Sequence, residues 1–252
     1  PYRDLIPCAG SIHADRLLRE NTGKVRKDCT ANVSHELKTP LTSISGEADL
    51  IETGIAKPAD VPEFGRKIHV EASRMIQLVN DILQLSHLDN VSESHDTPQM
   101  ETVDLLDVAK ECVERQKVNA QKSFISLTYL GESDPVLGSR SLLDELCQNL
   151  CDNAIRYNRP GGKVQIITAC SRDGHCSLTV TDNGIGIPKE AQSSVFERFY
   201  RVDKSRSKAT GGTGLGLAIV KHVALTHHGS ASVWSAPGQG STFTLELPVA
   251  RN

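Results

Sequence analysis

Aromatic side chains are scarce in this chain: five Phe, four Tyr and one Trp make up 4% of its 252 residues. That leanness argues against an all-β sandwich or barrel packed on large rings and favours long amphipathic helices with a modest sheet. An excess of positive charge is also missing, since 28 Lys and Arg stand against 31 Asp and Glu for a formal net charge of −3. No strong field exists to hold nucleic acid or an acidic membrane surface, so partners of that kind are disfavoured. No apolar run approaches the roughly 18 residues of a membrane-spanning helix, and no charged-then-apolar secretory signal opens the chain. The first residue is Pro1 rather than an initiator Met, and the chain reads as a segment of a longer protein. The seven cysteines are odd in number and lack zinc-knuckle spacing, so reduced thiols are expected. Cys147 and Cys151 lie one helical turn apart, but no His or third Cys is spaced to complete a tetrahedral set, and both read as core residues.

The length suits one large domain or two small ones. From Val25 an apolar series runs through Cys29, Val33, Leu37, Leu41, Ile44, Ala48, Ile51 and Ile55 in steps of three and four. This is one stripe of a long helix. Thr53-Gly54 and Lys57-Pro58-Ala59-Asp60 interrupt it, and a second series follows: Val61, Phe64, Ile68, Ala72, Met75, Val79, Ile82 and Ser86. The two helices form a hairpin whose broad apolar faces require covering, and a second copy of the hairpin is the economical cover. Polar, aperiodic residues 91–100 read as a linker. Beyond it the grammar changes to helix 104–120, strand 124–130, helix 139–157, strands 163–170 and 175–181, a loop from Asp182 to Gly214, helix 215–228, and strands near 230–235 and 241–247. Helices alternating with a mixed sheet predict an α/β sandwich.

Four short blocks carry chemically useful residues. In Ser34-His35-Glu36-Leu37-Lys38-Thr39-Pro40-Leu41, His35 lies about 200° around the helix from both Val33 and Leu37, which places it on the outer face. Pro40 removes a helical N–H and predicts a kink beside His35. On helix 139–157, Asn149, Asn153, Arg156 and Tyr157 fall within a turn or two of one another. Asp182-Asn183-Gly184-Ile185-Gly186 follows a strand directly. Gly211-Gly212-Thr213-Gly214-Leu215-Gly216 opens a helix; no strand precedes these glycines, so they are not a dinucleotide fingerprint. Between the last two blocks stand Val195-Phe196-Glu197-Arg198-Phe199-Tyr200-Arg201-Val202-Asp203 and a polar stretch through Arg206.

Together, in this order, these blocks resemble the H-box, N-box, G1 box, F-box and G2 box of the sensor histidine kinases of two-component signalling, over roughly residues 25–252. The resemblance implies an α+β chain. A helical hairpin forming a homodimeric four-helix bundle precedes an α/β sandwich ATPase domain of the gyrase and histidine-kinase type. It divides the sequence into an upstream helix (1–24), a dimerisation and phosphotransfer domain (25–90), a linker (91–100) and a catalytic ATP-binding domain (101–252). It also implies a cytoplasmic portion of a protein linked to a membrane upstream of residue 1.

Roles follow block by block. His35 attacks phosphorus, with Glu36 as base, because a neutral imidazole is a good nucleophile near neutral pH. Thr39 matches the position that places water for dephosphorylation of the partner. Asn153 is the Mg²⁺ ligand with Asn149 supporting it, an amide oxygen being a suitable hard ligand. Arg156 contacts phosphate and Tyr157 flanks the base. Asp182 accepts the exocyclic amino group of adenine, while Gly184 and Gly186 let backbone approach it. Gly212, Gly214 and Gly216 form the phosphate site at a helix start. Arg201 and Arg206 stabilise charge during transfer. The implied cofactors are ATP and Mg²⁺, and the implied partner is a response-regulator receiver domain whose aspartate takes the phosphoryl group, with phosphatase activity toward it as well. The residues leave open whether transfer runs within or between protomers. They also leave open a nucleotide-responsive dimeric scaffold acting mainly by binding or as a phosphatase.

Overall fold

The computed structural model describes residues 32–93, 99–132, 135–171, 174–203 and 212–250. Its packing divides the chain into two compact units, Pro1–Ile76 and Gln77–Asn252. The first holds helix α1 (32–52) and the beginning of α2 (Val61–Glu93), joined by a turn at 53–60. Among its described residues only Pro40 is buried, and Leu41, Ile55, Val70 and Ile76 are exposed. Proline at position 40 removes one helical hydrogen bond, and the hydroxyls of Thr39 and Thr42 bond back to the carbonyls of His35 and Lys38, at 3.4 and 2.9 Å, around it. Such back-bonding accompanies helix bending.

The second unit begins within α2 and is an α/β sandwich. Its remaining elements are β1 (Glu101–Asp104), α3 (Leu105–Lys122), β2 (Ser126–Gly131), β3 (Pro135–Gly138), α4 (Arg140–Arg156), β4 (Lys163–Cys170), β5 (His175–Asp182), α5 (Gly216–Thr226), β6 (Ser230–Ala236) and β7 (Gly240–Pro248). Five strands form a sheet in the order β2-β4-β5-β7-β6, parallel between β2 and β4 and antiparallel elsewhere. A separate antiparallel pair, β1 with β3, aligns Val103 with Val136; no alternation is long enough to announce it in the sequence.

Period-two alternation turns Val164 and Ile166 of β4, Leu178 and Val180 of β5, and Phe243, Leu245 and Leu247 of β7 into the core. The helices cover that face with residues at spacings of three and four: Val108, Cys112 and Val113 of α3, Leu143, Leu146, Leu150 and Ala154 of α4, and Ile219, Val220 and Val223 of α5. Asp104 caps α3, its carboxylate accepting from the Leu106 N–H at 2.8 Å. His227, just past α5, is buried and ties three elements together. Its Nε2 accepts from the Ser139 N–H at 2.9 Å, and its Nδ1 donates to the Val223 carbonyl at 2.7 Å.

Two expectations are corrected. Cys170 and Cys176, paired across β4 and β5, are joined in a disulfide rather than held as free thiols, because antiparallel register sets them directly opposite with Cα atoms 4.0 Å apart. The second correction concerns α2, which has two apolar faces rather than one. Within the second unit its buried residues are Leu78, Asp81, Leu85 and Leu88, whereas Val79 and Leu83 are exposed.

Candidate functional site

The candidate nucleotide site is built around one face of α4. Helical spacing sets Asn149, Asn153 and Tyr157 one turn apart in a row. The backbone of the glycine segment 212–216 approaches that face closely. A Cβ added to Gly216 would lie 2.9 Å from Asn149 Oδ1, and one added to Gly212 would lie 3.1 Å from both Arg156 Nη1 and the Tyr157 hydroxyl. Gly214 has a φ of +74°, in the left-handed region that favours glycine, and its carbonyl accepts from the Phe199 N–H at 2.9 Å. The segment leads into the N-terminus of α5, whose first N–H groups and dipole suit an anion.

Asp182 closes the site from the sheet. It shares the inward face of β5 with Leu178 and Val180, so strand alternation directs a carboxylate into the buried layer. Burial pushes its pKa above the usual carboxylate range, partly offset by backbone hydrogen bonds from Gly184 and Ser241. The Gly184 N–H donates to Asp182 Oδ1 at 2.7 Å. Gly184 is itself wedged beside the Tyr157 carbonyl, which accepts from the Ile185 N–H at 3.1 Å. A Cβ at Gly186, whose φ is +68°, would collide with the Ala236 carbonyl. Asp182, Gly184 and Tyr157 therefore meet at one point although they come from a strand end, a loop and a helix end.

The loop after Gly186 is pinned by residues that sequence reasoning did not single out. Ser235 Oγ accepts from the Ile187 N–H at 2.8 Å, and Gln192 Nε2 donates to the carbonyls of Ile187 and Ser235 at 3.0 and 2.7 Å. Phe196 meets Phe243 edge to face with centroids 6.2 Å apart, anchoring the following segment to the sheet. Arg198 pairs with Asp89 of α2 at 2.7 Å, and His222 Nε2 lies 3.0 Å from the Leu88 carbonyl. Arg201 is half-buried beyond that anchor, whereas Arg206 lies outside the described residues. Thr213, between two of the glycines, donates to Asp81 Oδ2 at 2.6 Å.

The histidine site is in the other unit. His35 is exposed on α1, as its angular position predicts, and borders an open groove lined also by Lys38, Thr39, Thr42 and Ser43. Glu36, next to His35 in sequence, is half-buried, and its Oε2 lies 3.8 Å from Arg74 Nη2 of α2. Arg74 was not singled out from the sequence, because a basic residue on a long helix carries no local signature.

Comparison with known proteins finds matches for both parts of the chain. Residues 25–91 match the His Kinase A (phospho-acceptor) domain, and residues 138–251 match the family of histidine kinase-, DNA gyrase B- and HSP90-like ATPases. The structure of the mycobacterial sensor histidine kinase MprB is 35% identical and matches with a TM-score of 0.52, covering 60% of this chain and 98% of that one. The chain belongs to the sensor histidine kinases. The sensor-like histidine kinase SenX3 of Mycolicibacterium smegmatis is 46% identical over 224 residues, 88% of this chain and 57% of that protein. This chain thus spans little more than half the length of that relative. In fold it also matches histidine kinase ThkA, solved in complex with the response regulator TrrA, with a TM-score of 0.74 at 21% identity over 95% of this chain and 66% of that one. Among the described residues no helix is long and apolar enough to cross a membrane.

Proposed function

We propose that this chain is the transmitter core of an ATP-dependent protein-histidine kinase that phosphorylates itself on His35. The observation that carries the reading is the convergence of Gly212 and Gly216 on the Asn149–Tyr157 face of α4, with Asp182 and Gly184 at its far end. A triphosphate needs free N–H groups where the glycines lie, and adenine needs an acceptor where Asp182 lies. In the reaction an imidazole nitrogen of His35 bonds to the γ-phosphorus of ATP, the bond to the β–γ bridging oxygen breaks, and ADP leaves. Glu36 accepts or orients the proton on the other ring nitrogen, and Arg74 holds Glu36 in place.

Magnesium fits this site through Asn153, with Asn149 in support, since both offer hard amide oxygens on the face that the glycine segment approaches. When bound, it neutralises charge on the phosphate oxygens. Arg156 contacts phosphate, Tyr157 flanks the base, and Arg201 and Arg206 supply charge stabilisation during transfer. The phosphoryl group passes from His35 to an aspartate on a response-regulator receiver domain. Thr39, which bonds back to the His35 carbonyl, positions water for the reverse dephosphorylation of that partner.

Residues 25–90 serve as the dimerisation and phosphotransfer domain and 101–252 as the catalytic domain. The uncovered apolar faces of α1 and α2 support a homodimeric four-helix bundle. The whole protein is linked to a membrane upstream of residue 1. Incubation with γ-labelled Mg²⁺-ATP tests the reading. Protein-bound label that is acid-labile and base-stable, and that His35→Gln abolishes while ATP binding persists, is the expected result. Label retained in the His35→Gln protein refutes the assignment.

A further inference from the structure

Packing of α3 against α4 brings together three cysteines that sequence spacing keeps apart. The sulfurs of Cys112, Cys147 and Cys151 all lie within 4.8 Å of one another, and the residues are 3%, 0% and 0% exposed. Any one of them alone would be an ordinary small core residue. Three on a common point make a preformed ligand set, because three sulfurs each about 2.3 Å from a central ion stand about 4 Å from one another.

We propose that Cys112, Cys147 and Cys151 form a three-sulfur binding site for monovalent copper, on the side of α4 opposite its nucleotide-facing amides. Ligand number selects the ion. Among the described residues no His, Asp or Glu joins the three sulfurs, so a structural zinc ion would lack the fourth ligand that completes its tetrahedron. Soft thiolates favour Cu(I), which accepts trigonal sulfur coordination. Loading forms three Cu–S bonds, and the protons of the thiols that ionise pass to water. Copper enters already as Cu(I) from a soluble thiol or chelate, so no electron is transferred. Because the sulfurs are sealed from solvent, loading proceeds through local opening between α3 and α4 and is slower than reaction of a surface thiol.

The test uses the whole chain, reduced and kept anaerobic, titrated with Cu(I) held by bicinchoninate. One copper per chain withdrawn from the chelator is expected. It should persist when Cys8, Cys29, Cys170 and Cys176 are all replaced by Ser, and be lost in Cys112→Ala and in Cys147→Ala. Cys151→Ala, read by the same competition, should weaken binding at least tenfold should the other two variants fold poorly. X-ray absorption of the loaded protein should show three sulfur neighbours. Copper binding that survives Cys112→Ala, that disappears in the four-serine protein, or that shows nitrogen or oxygen neighbours overturns the proposal. So does tighter retention of Zn(II) than of Cu(I), or no withdrawal of copper at all.

Discussion

Thr213 Oγ1 donates to Asp81 Oδ2 at 2.6 Å in a buried contact across 132 residues of sequence. The contact ties the glycine segment of the nucleotide site to α2, and Gln77 Nε2 completes it by donating to the other carboxylate oxygen at 2.7 Å. Burial raises the Asp81 pKa; the hydrogen bonds from Thr213 and Gln77 and the charge of Arg156 oppose the rise without cancelling it. The folded state therefore holds the Asp81 proton more tightly than the unfolded chain does. Its contribution to stability is complete below the ordinary carboxylate range and declines as pH rises through the raised value.

Substitutions at this pair should separate charge from hydrogen bonding. Thr213→Val strips a donor from a buried carboxylate and should cost about 1–3 kcal/mol of stability. Asp81→Asn keeps an acceptor for Thr213, removes the desolvated charge, and should leave neutral-pH stability equal or higher while flattening its decline with pH. Urea denaturation across the acid-to-neutral range reads both. Equal losses from Thr213→Val and Asp81→Asn would show that the charge itself holds the contact.

His227 gives the opposite sign. Burial depresses its pKa below 6.5, helped by His228 and opposed by the hydrogen bond to the Val223 carbonyl. Its Nε2 must stay unprotonated to accept from Ser139. The unfolded chain takes up this proton near the ordinary value of about 6.5, and the folded protein only below it. Stability from this group is thus intact above the ordinary value and lost as pH falls through the depressed one. The denaturation midpoint should fall between about pH 7.5 and about pH 5.5, the neighbourhood of the ordinary imidazole pKa. His227→Gln should flatten that slope. A slope unchanged by the substitution would assign it to another group.

How much of this was legible beforehand depends on whether the signal is local. The boundaries of α3, α4, β4 and β5 follow from periodicity and from the turn residues between them, and His35 was placed outward by angle alone. The pairing of Val103 with Val136 was not visible, because four-residue strands carry too little alternation and their partner is remote. A periodicity search also finds one stripe per helix. The stripe through Met75, Val79 and Ile82 is legible along α2, whereas the buried Leu78, Leu85 and Leu88 lie off it. Asp81, between those leucines, reads as a surface carboxylate until Thr213 is seen against it. Cys147 and Cys151 were noticed as a pair, but Cys112 reaches them only through helix packing.

The glycine segment permits a controlled comparison. Gly214 takes the left-handed φ of +74°, and a Cβ there would lie 3.1 Å from Phe199. A left-handed alanine costs roughly 1–2 kcal/mol, and the segment would shift to relieve it. Gly214→Ala should weaken ATP binding by about tenfold, the equivalent of 1.4 kcal/mol. Gly65, in α2, has nothing within 4 Å of its Cβ position. Gly65→Ala should leave ATP affinity unchanged and stabilise the helix by about 0.5–1 kcal/mol. Calorimetric titration with ATP checks the pair, and equal affinity in the two variants would remove the glycine segment from the nucleotide site.

The uncovered face of the hairpin predicts an assembly. Leu41 is 52% exposed and Ile76 63%, and among the described residues of that unit only Pro40 is buried. Two helices cannot shield two broad apolar faces from each other and from water at once, whereas two hairpins can. Leu41→Asp puts a charge where a second copy would desolvate it, while in a lone hairpin it touches mainly solvent. The substitution should weaken self-association by about 2 kcal/mol or more, the scale of a central interface residue, without lowering helix content. Light scattering across a dilution series, with circular dichroism as the folding control, reads the outcome. A dimer that persists unchanged in Leu41→Asp would move the interface to another face. A wild-type chain that stays monomeric at high concentration would remove the four-helix bundle altogether.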